Sequence, residues 1–209
     1  MSNYAVEKPK IIFRTLESQK VLEGKALKTT FELSIFAYAE RITNLLKSSH
    51  QSNPIRAKVL TGLNGKINYS KKFLLLRKKE TKALIESARE SGFAIVQVQP
   101  KLKEYEILFV SNYANRTLNL IKLLDEVIYD LKCLEITGLI SRKEVNKITY
   151  DSQRSIRSLM SYGYELISKL YKKPENVKML ETSEMKFDYK DYNKDNYESI
   201  YALIGEIKK

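Results

Sequence analysis

The chain lacks tryptophan altogether and has one cysteine and one histidine in 209 residues, and these scarcities remove several classes of function. A lone Cys133 cannot build an intrachain disulfide framework, so stability has to come from packing, and the expected compartment is the cytoplasm. Its apolar neighbours at helical spacing make it a small core residue rather than a nucleophile. The one histidine, His50, lies in a Ser/Gln/Asn-rich loop with no paired carboxylate or cysteine nearby, and metal-ligand spacing is missing. Only seven glycines occur, and none belongs to a GxGxxG, GxxxxGK[ST] or GxSxG pattern; HExxH is also absent. The carboxylates Asp125, Glu126, Asp130 and Asp151 fall in helical patterns and read as solvated or salt-bridged faces. No enzyme activity, cofactor or metal is therefore expected. No apolar run approaches the roughly 18 residues of a membrane span, and the N-terminus lacks a signal-peptide core, so no membrane partner is expected.

Negative charge is the other scarcity. Lys and Arg number 37 against 25 Asp and Glu, a net charge of +12. Ten of the bases (Lys47, Arg56, Lys58, Lys66, Lys71, Lys72, Arg77, Lys78, Lys79 and Lys82) fall between 47 and 82, where Glu80 is the sole acid. Like charges held together are tolerated best where a polyanion neutralises them, which points to nucleic acid. A solvated basic face is the bland alternative. Residues 175–209 differ: eight acids and six bases make an acidic, Tyr-rich tail beside a basic domain spanning 1–174.

The hydrophobic pattern predicts a mainly α fold with a small β component. Lys10–Leu16 reads as a strand with Lys10, Ile12 and Arg14 on one face. A Thr29/Glu32 capping box would open a helix over about 30–47. Asn64-Gly65 signals a type I′ hairpin between 59–63 and 66–70, followed by a helix over about 73–91 ended by Gly92. Residues 93–99 and 101–110 read as a hairpin or ribbon with Tyr105, Ile107 and Phe109 on one side. A long helix from Asn112 broken by Gly138, then a second opened by a Ser141/Glu144 capping box and stopped by Pro174, complete the domain. Asp195 would cap a short final helix, and 181–193 is expected to be loosely ordered.

Bases interleaved with aromatics suit a DNA reader in which phosphates fix register and a few side chains meet base edges. Lys101, Lys103 and Tyr105 on one strand, or Lys10 and Arg14 on the other, are the candidate base readers of a two-stranded ribbon contributed by two chains. Lys71, Lys72, Arg77, Lys78, Lys79, Arg142 and Lys143 are the candidate phosphate contacts. An ordinary amphipathic strand with solvated basic ends is the alternative for either ribbon strand.

The run from Phe109 to Asp125, with Gly138–Val145 and Arg154–Arg157, resembles the AcaB-like family of conjugative plasmids and integrative conjugative elements, and Leu16–Lys25 is similar to its N-terminal pattern. The resemblance implies a transcriptional activator of transfer genes with a ribbon-helix-helix type DNA-binding core carrying helical extensions. It also implies a homodimer on a palindromic or repeated double-stranded DNA operator; activation by contacting RNA polymerase and activation by displacing a repressor are both open. Tyr105–Val110 would supply the ribbon, Asn112–Leu134 the first helix and Ser141 onward the second, whose N-terminus would clamp a phosphate. Two departures from the pattern are Glu104 and Glu106, poor company for phosphate, and helices longer than a minimal core needs. The competing reading is a non-enzymatic adaptor of a mobile element that holds another protein through its tail and amphipathic helices. RNA binding is less favoured, since no RRM-like or KH-like signature occurs.

Overall fold

The computed structural model describes residues 8–26, 31–47 and 54–172. His50, the Thr29 cap and the whole 175–209 tail lie outside them. The order of elements is β1 (Lys10–Phe13), α1 (Leu16–Glu23), β2 (Lys25–Ala26), β3 (Phe31–Glu32), α2 (Ile35–Lys47), α3 (Pro54–Glu90), β4 (Lys103–Glu106), α4 (Asn112–Ile136) and α5 (Arg142–Lys172). The chain is mainly helical with a small β component, as its pattern predicts.

Helix α4 occupies the centre. Its stripe of Leu118, Ile121, Leu124, Ile128 and Leu131 recurs at helical spacing and is buried against α1, α2, α3 and α5. Helix α3 runs parallel to α4, as Asn64 meets Tyr113 and Lys78 meets Glu126, and antiparallel to α5, as Lys66 meets Ser158 and Ser70 meets Ser155. Between α3 and α4 the chain returns as a strap over 91–111. Gly92 and Gly138 adopt φ of +83° and +79°, and the following N–H groups bond back to Ala88 and Leu134, closing α3 and α4 with left-handed caps. At the start of α5, Ser141 N–H donates to the Glu144 carboxylate at 2.8 Å and Glu144 N–H donates back to the Ser141 hydroxyl, the expected capping box.

The Asn64-Gly65 hairpin does not form; one 37-residue helix covers both proposed strands and the turn. Val59, Leu63, Ile67, Leu74 and Thr81 form its buried stripe, and that burial outweighs the local turn preference. Gly62 has a packing role here, because a Cβ would stand 2.1 Å from the Tyr162 hydroxyl oxygen.

Nor do 93–99 and 101–110 pair with each other. Strand β4 instead pairs antiparallel with β1, in the register Lys10↔Glu106, Ile11↔Tyr105, Ile12↔Glu104 and Phe13↔Lys103. The two strands named as alternative readers are thus partners within one chain. Ile11, Phe13 and Tyr105 face inward, with Phe13 and Tyr105 rings edge to face at 5.7 Å, while Lys10 and Ile12 face out. The first strand stops at Phe13, short of the expected Leu16, because Thr15 caps a helix there. The buried Asp125 carboxylate fixes this corner, accepting from Arg14 N–H, Thr15 N–H and the Thr15 hydroxyl. Residues 31–32 form β3 with β2, so α2 begins at Ile35 rather than near Thr30.

Candidate nucleic-acid interface

Two helices present cations to solvent. On α3, Lys71, Lys72, Lys79 and Lys82 are exposed. At 100° and 1.5 Å per residue they occupy an arc of about 100° over roughly 17 Å, with Glu86 and Glu90 the acids on that face, both beyond Lys82. On α5, Arg142, Lys143, Lys147 and Arg154 are exposed, and Tyr150 lies among the last three. Among the described residues Lys71, Lys72, Lys79, Arg142 and Lys143 make no ion pair. A cation that no carboxylate holds can exchange its water for a phosphate oxygen without breaking a protein contact.

The other two phosphate candidates are placed differently. Arg77 is only 4% exposed, with its guanidinium 3.3 Å from Glu80 and over the Phe73 ring. It therefore belongs to the interior and reaches no duplex. Lys78 is ion-paired to Glu126 on α4. Lys66, also in the basic run, is half-buried, donates to the Ser158 hydroxyl at 3.2 Å and lies over the Tyr162 ring; burial holds its pKa below the usual lysine value. Part of the sequence cluster is thus structural.

The expected phosphate clamp at the start of α5 is also partly occupied, because Glu144 has taken the Ser141 N–H and brings a negative charge to the helix N-terminus. Arg142 and Lys143 remain as side chains on its first turn.

Of the base-reading candidates, Lys101 is exposed and carries no carboxylate partner among the described residues. Lys10 pairs with Glu104 across the ribbon at 2.9 Å, and that bond raises its pKa. Lys103 and the Tyr105 hydroxyl both donate to Glu23, which lowers the pKa of Glu23 and pushes Tyr105 up further than its burial alone would. Arg14 is held by Asp125 on one side and the Tyr129 ring, 4.3 Å away, on the other. The ribbon carries the expected cations, and carboxylates of β4, α1 and α4 hold most of them.

Sequence reasoning overlooked two leucines. Leu75 and Leu76 are 46% and 41% exposed, amid the α3 lysines. The run Leu74-Leu75-Leu76 contained the sign, since consecutive helical residues point 100° apart and only Leu74 lies on the buried stripe.

The profile of the AcaB family, described as transcriptional regulator AcaB, matches residues 6–173. The chain belongs to that family. Its fold is similar to that in a crystal structure of selenomethionine-containing AcaB from uropathogenic E. coli, with a TM-score of 0.61 at 19% identity, over 78% of this chain and 79% of that one. No curated protein matches the chain. Membership makes it a transcriptional regulator. No helix among the described residues is long and apolar enough to cross a membrane. Among the same residues no group of three or more His, Cys, Asp or Glu could hold a metal ion.

Proposed function

We propose that this AcaB-family regulator binds a double-stranded DNA operator as a cytoplasmic homodimer, reads its sequence, and activates transfer genes of a conjugative mobile element, with RNA polymerase as the later partner. The observation that carries the reading is the set of unpaired cations on the outer faces of α3 and α5. Lys71, Lys72 and Lys79 with Arg142 and Lys143 hold backbone phosphates. The succession β4, α4, α5 keeps the order of a ribbon-helix-helix core, although β4 takes its ladder partner from its own chain. Lys101, Lys10 and Lys103 then read base edges from the ribbon, the last two exchanging exposed ion pairs for DNA acceptors, with Arg14 and Tyr105 shaping the ribbon beside them. Exposed ion pairs are weak enough for such exchange.

The test is a titration of the purified protein with promoter fragments of its own element and a scrambled duplex. Preference for one fragment by roughly a thousandfold or more supports a sequence-specific regulator. Equal, weak binding to both overturns it. Leu75 and Leu76 favour a second reading, in which the α3 face holds an acidic, partly apolar protein and the chain acts as an adaptor; that protein would compete with DNA for the same lysines.

A further inference from the structure

An exposed apolar side chain sits in the middle of the α3 cation arc. At 100° per residue Leu75 falls between Lys82 and Lys79, with Lys71 and Lys72 at the two margins, and Leu76 stands just beyond Lys72. A half-exposed leucine gains nothing from a phosphate, so this face fits an occupant that brings carboxylates and apolar groups together. The chain itself carries such a segment. Between Glu181 and Asp195 the acids Glu181, Glu184, Asp188, Asp191 and Asp195 recur at intervals of three, four, three and four, while the bases Lys186, Lys190 and Lys194 recur at four. Laid on a helix, the five carboxylates fall within an arc of about 80° and the three lysines within another on the far side, so a segment of little net charge has all its acids on one face. Tyr192 and Met185 border that face on one side and Phe187 on the other. Its length is about 21 Å, close to that of the lysine arc.

We infer that residues 181–195 dock along α3 of their own chain, with their carboxylates on Lys71, Lys72, Lys79 and Lys82 and their apolar margin on Leu75, and that duplex DNA has to displace them. The path of the chain allows it. Lys66 meets Ser158 and Ser70 meets Ser155, so α5 runs back along α3 and Lys172 comes out level with the start of α3. From that level to Lys71 is about 27 Å along the helix, and residues 173–180 reach at most about 30 Å. The segment therefore enters at Lys71 and runs on toward Lys82, beyond which Glu86 and Glu90 repel further acids. A tether of this length holds it at roughly millimolar effective concentration. The lysine face of another copy, by contrast, repels this one. Exposed pairs of this kind yield readily to a duplex. The condensed cations released on binding come from the DNA, so displacing the segment leaves the salt slope set by the phosphates.

The competition rests on the DNA-binding reading above; the docking does not, and is read without DNA. A carbodiimide joins a carboxylate to a lysine amine in direct contact. In the full-length protein it should link 181–195 to Lys71, Lys72, Lys79 or Lys82 within the single-chain band of a denaturing gel, as mass spectrometry of the digested band reads, and about 1 M salt should abolish the links. Absent links, equal links to Lys143 on α5, or links found only in a band of doubled mass would each overturn the docking and leave the α3 face to another protein. The second arm is Glu184→Gln/Asp188→Asn/Asp191→Asn, compared with wild type on the scrambled duplex. It should bind about tenfold more tightly, the factor expected if roughly one chain in ten is undocked, with an unchanged thermal midpoint. Links in the wild type without any tightening in this variant would overturn the competition, and duplex binding by neither protein would overturn the DNA reading while the docking stands.

Discussion

The β1–β4 ribbon and the outer faces of α3 and α5 contain the same kind of residue and use it in opposite ways. On the ribbon Lys10 and Lys103 face Glu104 and Glu23, and next to it Arg14 is pinned by Asp125. On α3 and α5, Lys71, Lys72, Lys79, Arg142 and Lys143 have no such partner among the described residues. A count of basic residues treats the two regions alike; the carboxylates around them do not. What a polyanion can use is charge left uncompensated, and a lysine in a pair must first break it.

The largest effect is expected at Asp125, which anchors the ribbon to α4. Asp125→Ala removes a buried carboxylate that receives two backbone N–H groups, the Thr15 hydroxyl and Arg14. The loss should be about 3 kcal/mol, measured by urea unfolding, with duplex affinity of the folded protein nearly unchanged. Gly163→Ala forces a methyl to within 2.7 Å of the buried Tyr38 ring and 3.0 Å of Leu63, where α5 meets α2 and α3, and should destabilise by about 2 kcal/mol in the same assay.

A smaller effect concerns pH. Burial raises the Tyr38 phenol to about 12. Between pH 10 and that value the unfolded chain ionises at this position while the folded one does not, so stability falls as pH rises through the window. Tyr38→Phe abolishes this contribution. Its urea midpoint should lie below wild type at pH 9, where the Thr117 bond to the phenol still counts, and draw level with or pass it near pH 11.5. Smallest of all is Lys10→Ala with Lys103→Ala. It breaks only exposed pairs and should leave Tm within about 1 °C. If those lysines read bases, the pair should still weaken binding to the cognate fragment by roughly thirtyfold or more while sparing the scrambled one.

Helix punctuation was legible in the sequence wherever one local interaction decides it. Gly92, Gly138 and the Ser141/Glu144 box stop or start helices as their chemistry requires. The inward faces of Ile11, Phe13 and Ile107 followed from simple alternation. What long-range packing decides was not legible. Asn64-Gly65 is a turn signal that lost to a buried stripe extending five residues before it and sixteen after, and that stripe was present as spacing. The pairing of β1 with β4 joins strands about ninety residues apart, which no local pattern specifies. In the candidate site, residue types were readable and availability was not. Nothing adjacent in sequence marks Arg77 as buried, or shows that Glu23 reaches Lys103 and Tyr105.

The central claim is that uncompensated cations on α3, not the paired ones of the ribbon, supply the phosphate contacts. It is tested most directly by the salt dependence of duplex binding in wild type, in Lys71→Ala/Lys72→Ala/Lys79→Ala and in Lys10→Ala/Lys103→Ala. In a homodimer each substitution removes two phosphate contacts, and each lost contact should flatten the slope of log K against log salt by about 0.9, so the triple variant should lose about five units and the ribbon pair almost none. A ribbon pair that flattens the slope as much, or a triple variant whose slope matches wild type, would contradict the account.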